Sequence, residues 1–239
     1  MSGLYVALSV QMAAERRMAT IASNIANMNT PGYRAEEVKF ETVLSQAGAG
    51  DVAFISEGGS YTSLKAGNAV YTGNPLDLAP QGDAWFAVAG PQGTMYTRDG
   101  RFHIGPNGGL RTVDDLPVLD AGGTQITLDP AAGPVAVGSD GAMTQAGNRI
   151  GTVGLFTLPA GAELTRQGSS AVVPDRPATV VQDFTSLGIR QGYVEGSNVD
   201  PILEMTRLIN VQRSFEMAAQ AVQQGEDTTT EAIRALGPS

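Results

Sequence analysis

The chain has 239 residues, 42% apolar and 16% charged, with 30 Gly, 13 Pro, a single His and no Cys. That composition supplies one sizeable core and excludes wholesale disorder, disulfides and thiolate metal sites. A net charge of −9 without a basic cluster argues against nucleic acid as a partner, and no apolar run approaches the roughly 20 residues that span a bilayer.

From Leu4 to Met28, the residues Leu4, Leu8, Met12, Met18, Ile21, Ile25 and Met28 recur mostly at three- or four-residue steps. This spacing predicts one amphipathic helix with a single apolar stripe. Six alanines along it favour the helix and permit close approach of a second one. Asn29-Thr30-Pro31-Gly32 stops the pattern: Pro31 pushes Thr30 toward extended backbone, and Gly32 admits a turn with positive φ. Asn24, Asn27 and Asn29 near the helix end can satisfy orphan carbonyls, and capping alone would account for them.

Residues 35–44 suit either an extended segment or a short helix, and Gly48 to Gly59 is read as a glycine-rich linker. A β region is expected to begin between Tyr61 and Tyr71. From about Asn74 to Pro174, short apolar runs alternate with glycine turns. Expected strands are 85–89, 94–97, 101–104, 110–113, 117–119, 125–128, 135–137 and 152–158, with turns at 90–93, 98–100 and 105–109. Strands so short and frequent predict a compact all-β sandwich or distorted barrel.

From Gly188 the pattern changes again. Ser197, Asn198 or Asp200 can cap a helix with Pro201 in its first turn, and Ile202, Met205, Leu208, Ile209, Phe215, Ala219 and Val222 form a second stripe. Gly225 weakens this helix without deciding where it ends. The termini differ in sign: residues 1–34 carry three arginines against one glutamate, and 195–239 carry seven acids against three arginines. Complementary ends are suited to pack on each other or on neighbouring copies.

No catalytic constellation emerges. The lone His103 sits between Phe102 and Ile104 in a predicted strand, where a packed or solvent-facing role suffices. Asp114 and Asp115 would point to opposite faces of a strand or serve as loop residues, and Asp99-Gly100 and Asp140-Gly141 are turn dipeptides. No cofactor, metal or catalytic residues are predicted.

The run from Asn24 through Ala26, Asn27, Thr30 and Gly32 to Tyr33 closely resembles the signature of the flagellar axial proteins, the rod, hook and hook-associated subunits. Asn74–Ala79, Gly82–Phe86, Tyr96–Phe102, Pro117–Leu119, Ser139–Ala142 and Gly151–Phe156 resemble successive blocks of their β domain. Ala84 stands where that family usually has a second glycine, which leaves the local turn open. Gln191–Asp200 and Leu203–Met217, with Gln212, Arg213 and Phe215 in place, resemble the C-terminal signature.

The resemblance implies an α+β fold. The terminal amphipathic helices would pair as a coiled-coil-like helical domain, and a central all-β domain would be inserted between them. The expected divisions are 1–34 (N-terminal helix), 35–73 (linker and start of the β region), 74–187 (central β domain) and 188–239 (return segment and C-terminal helix). It further implies a structural subunit of the bacterial flagellar basal-body rod, in the proximal part, with the distal rod as the alternative. Inter-subunit contacts fall to Leu4, Leu8, Ile21 and Ile25 on the first helix. On the second they fall to Met205, Leu208, Ile209, Gln212 and Phe215. Partners would be other copies of the chain, neighbouring proximal and distal rod subunits, and the flagellar type III export apparatus, with no nucleic acid and no membrane insertion. The expected location is the periplasmic rod, reached without a cleaved signal peptide. A secreted β-rich binding protein is the rival from another class; it requires a pocket with convergent polar groups.

Overall fold

In the computed structural model, residues 2–39, 42–45, 52–55 and 59–236 are described, with side chains for 8–39, 59–225, 227, 228 and 230. The chain divides into two compact units. One comprises Met1–Ala26, Glu36–Tyr61 and Asp200–Ser239; the other comprises Asn27–Ala35 and Thr62–Val199.

The first unit holds helix α1 (Ser2–Ala26), strands β1 (Glu36–Val38), β2 (Thr42–Ser45) and β3 (Val52–Ile55), and helix α2 (Pro201–Leu236). α2 starts where Asp200 accepts hydrogen bonds at Oδ1 from the Ile202 and Leu203 amides, at 3.0 and 3.1 Å. Pro201 follows at the first helical position, where its missing N–H costs nothing. The helix runs on through Gly225. α1 ends at Ala26, two residues before the end of its apolar pattern, because the chain turns at once: Thr30 N bonds Asn27 O and Tyr33 N bonds Thr30 O. The helices meet through Ala14, Ile21 and Val211, with Met18, Ile25, Leu208 and Phe215 packed around them.

The second unit is β-rich. β4 (Ser60–Thr62), whose Ser60 and Tyr61 belong to the first unit, pairs there with β1; the second unit goes on with β5 (Ala69–Tyr71), β6 (Leu78–Gln81), β7 (Ala84–Gly90) and β8 (Gly93–Thr97). Then follow β9 (Phe102–Ile104), β10 (Leu110–Thr112), β11 (Val135–Val137), β12 (Ala142–Gln145), β13 (Asn148–Thr152) and β14 (Leu155–Thr157). The last are β15 (Leu164–Gln167), β16 (Ala171–Pro174), β17 (Thr179–Val180), β18 (Gly188–Gln191) and β19 (Tyr193–Glu195). A six-stranded antiparallel sheet of order β15-β16-β8-β7-β14-β17 is its largest element. The hairpin β7–β8 closes around Pro91 and Gln92, with Gly90 opposite Gly93.

The period of two along β7 explains the core. Ala84, Phe86 and Val88 enter one apolar cluster with Met95, Phe102, Leu110, Val118 and Leu155, while Trp85 and Ala87 enter a second with Tyr96, Phe156 and Val172. Both faces of the central strand are covered, so its sequence reads as unbroken apolar. The turn before β7 is made by Gly82 at φ 66°, and Ala84 is already in the strand, fully buried.

The expected architecture, an α+β chain with a purely helical, coiled-coil-like domain carrying an inserted all-β domain, is not what the structure shows. Two helices do flank a large β-rich region, but their unit also contains strands β1 to β3. The apolar stripes are only partly used between the helices: Leu8, Met12, Ile202, Met205 and Ile209 are exposed. The stretch read as a glycine-rich linker carries β3, paired antiparallel with β2; its remainder, 48–51 and 56–58, lies outside the described residues. Two expected strands, 117–119 and 125–128, form isolated bridges rather than ladders.

Candidate functional site

The signature residues are positioned by two hydrogen-bonded structures. At the end of α1, within the first unit, Asn24 is 1% exposed. Its Nδ2 donates to Glu36 O at 2.9 Å and its Oδ1 accepts from Glu36 N at 2.9 Å. The amide thereby mimics a strand neighbour and fixes the start of β1 against α1. Ala26, the last helical residue, is exposed.

Within the second unit, Asn27–Ala35 is sewn into the β-rich fold. Thr30 Oγ1 donates to Asn27 Oδ1 at 3.1 Å. Gly32 has φ 69° and its amide donates to Glu195 O at 2.8 Å. A Cβ there would lie 2.2 Å from Asp99 N, so both conformation and space demand glycine. Tyr33 is buried beneath the Arg166 guanidinium, 4.5 Å from the ring centroid, and Arg166 Nη2 donates to Arg34 O at 2.5 Å.

Beneath this turn lies an ion cluster that sequence reading missed. Glu195 takes Arg34 Nη2 on Oε1 at 2.7 Å and Arg98 on Oε2, from Nη2 at 2.6 Å and Nε at 2.7 Å. Gly67 N adds a further bond to Oε1 at 3.0 Å. Arg98 also donates to Ala84 O and Pro80 O, and Arg34 to Leu64 O. Both guanidiniums lie within 6 Å of the Trp85 ring centroid. Burial, and then the Arg98 charge, lower the Arg34 pKa to about 10, with Glu195 opposing; Arg34 therefore stays charged at neutral pH. Arg98 sits where a turn was expected, between Thr97 and Asp99, and nothing in its local sequence marked it as buried.

The residues predicted for inter-subunit contact fall into two groups. Ile21 is buried, and Ile25, Leu208 and Phe215 pack partly around it. Leu8, Met205, Ile209 and Gln212 are exposed, and with Ile202, at 78% exposure, they leave apolar faces uncovered on both helices. The side chain of Leu4 lies outside the described residues. His103 is half-exposed, 3.7 Å from Asp115 on a loop where Asp115 has φ 62°. Among the described residues no cluster of three His, Asp or Glu side chains could hold a metal, and no helix is long and apolar enough to cross a membrane.

The signature residues thus hold backbone in place while helix faces stay uncovered, and three stretches of the chain match known families in order. Residues 4–34 match the family described as flagella basal body rod protein. Residues 79–145 match the flagellar hook protein FlgE/F/G D1 domain, and 190–235 the flagellar basal body rod FlgEFG protein C-terminal region. The flagellar basal-body rod protein FlgF of Mesorhizobium japonicum is 51% identical over 98% of this chain and 97% of its own. That of Rhizobium meliloti is 44% identical over 100% and 99%, and FlgG of Agrobacterium fabrum is 32% identical over 93% and 94%. The chain belongs to the flagellar basal-body rod protein family and is a structural subunit of the rod.

Proposed function

We propose that the chain occupies the proximal part of the rod and acts mechanically, with no catalytic role. The observation that carries this position is the near-complete likeness to proteins named FlgF at 51% and 44% identity, against 32% for a protein named FlgG. The subunit is exported through the flagellar type III apparatus, assembles in the periplasm and contacts copies of itself and neighbouring proximal and distal rod subunits. Helix faces exposed in the single chain, at Leu8, Met205 and Ile209, are covered by those neighbours. The densely paired β-rich unit resists deformation, so torque passes through it to the next subunit.

An epitope inserted after Gly161, an exposed turn with open space around it, tests the position. Gold labelling of isolated basal bodies is expected at the inner-membrane end of the rod. Label along the distal segment would assign the chain to the distal rod, and unlabelled complete rods would refute a rod position altogether.

A further inference from the structure

A cleft of about 110 Å³ in the first unit lies among α1, β1 and α2 and is lined by Arg17, Thr20, Glu36, Glu37, Glu204 and Arg207 among others. These three carboxylates and two guanidiniums leave its lining with an excess of negative charge. The Glu204 side chain is 5% exposed. Its Oε1 accepts from Arg207 Nη1 at 2.6 Å, while its buried Oε2 has no hydrogen-bond partner among the described residues. A buried, unpaired carboxylate oxygen is costly, and a donor arriving from outside the chain removes that cost.

The same helix carries such a donor. Arg213 is exposed and makes no hydrogen bond or ion pair among the described residues. Nine residues separate it from Glu204, which places the two about 180° apart around α2 and about 13 Å apart along it. An unfilled acceptor on one side of a helix and an unfilled donor on the other cannot meet within one chain. A contact joining them between copies would be heterologous, the kind that builds rings or helical arrays rather than closed dimers.

We infer that Arg213 of one copy enters this cleft in the next copy and pairs with Glu204. Arg207, 38% exposed, turns outward to admit it. A planar guanidinium suits the task because its fork presents several donors to one carboxylate from a fixed position. This inference rests on the rod-subunit reading and assigns one of its contacts between copies.

Because the chain has no cysteine, the contact can be trapped without background. Thr20→Cys at the cleft and Ser214→Cys beside Arg213 are conservative changes that leave both charged partners in place. With both variants expressed in one cell, thiol-specific cross-linking of isolated basal bodies is expected to give a dimer joining one variant to the other. Arg213→Glu, at an exposed position, is expected to lower rod yield by about tenfold, with Arg213→Lys intermediate. Rods that contain both cysteine variants yet give no mixed dimer, or Arg213→Glu assembling at full yield, would overturn the contact while leaving the rod assignment intact. Complete rods in cells lacking the chain would instead remove the assignment itself.

Discussion

Glu195 receives both Arg34 and Arg98 in a space closed to solvent, so removing its carboxylate strands two buried guanidinium charges. Replacing one partner of a buried pair typically costs about 3–5 kcal/mol. Glu195→Gln should destabilise the β-rich unit by that order, measured as a lower denaturant midpoint, and Arg34→Met by less, because Arg98 still pairs with Glu195. Gly32→Ala should cost about 2 kcal/mol or more, because it combines a positive φ with a contact to the 98–99 backbone; an unchanged midpoint would refute this reading. Tyr61 donates to Glu37, and that bond raises the phenol pKa above its ordinary value. The folded state holds this proton more tightly than the unfolded chain. The bond's contribution is therefore complete below the ordinary phenol range and is lost as pH rises through the raised value. Burial also raises the Tyr96 phenol, so alkaline absorbance titration should show late-ionising tyrosines of which Tyr61→Phe removes one. Of these features, Gly32 was legible in sequence, because a glycine after proline in a breaker cluster announces a turn. The ion cluster was not, since Arg34, Arg98 and Glu195 are far apart in the chain and nothing local distinguishes them from surface charges.

At the scale of elements, both helices were visible from their spacing, and the cap at Asp200 was one of three candidates that only hydrogen-bond geometry could separate. What periodicity could not reveal is how much of each stripe the chain itself buries. Among the described residues Ala14, Ile21 and Val211 form a small buried cluster between the helices, and Ala13 and Ala218 are also buried, a modest apolar core for two long helices. Strand β3 was missed because glycines around it suggested a linker, and β2 ends a stretch left open between extended and helical; pairing from Thr42↔Ile55 to Ser45↔Val52 supplies the order. The helical signal of the isolated chain should accordingly be weak and increase on assembly. Ile209→Asp, on the exposed face, should leave monomer folding unchanged, as read by circular dichroism, yet reduce rod formation severely. A strong, concentration-independent helical spectrum in a demonstrated monomer would contradict the first expectation, and wild-type rods from the variant the second.

For the whole molecule, a chain with both faces of its central sheet covered and helix faces left open is organised to be completed by neighbours. The likeness to rod proteins extends over 98% of its length, which matches a role carried by the entire surface rather than by one pocket. The central claim is that cells need this chain to build the rod. Deletion of its gene, followed by electron microscopy of isolated basal bodies, tests that claim most directly. The account predicts non-motile cells whose rods are missing or stop at the proximal segment, restored by the intact chain. Normal swimming with complete rods would contradict it.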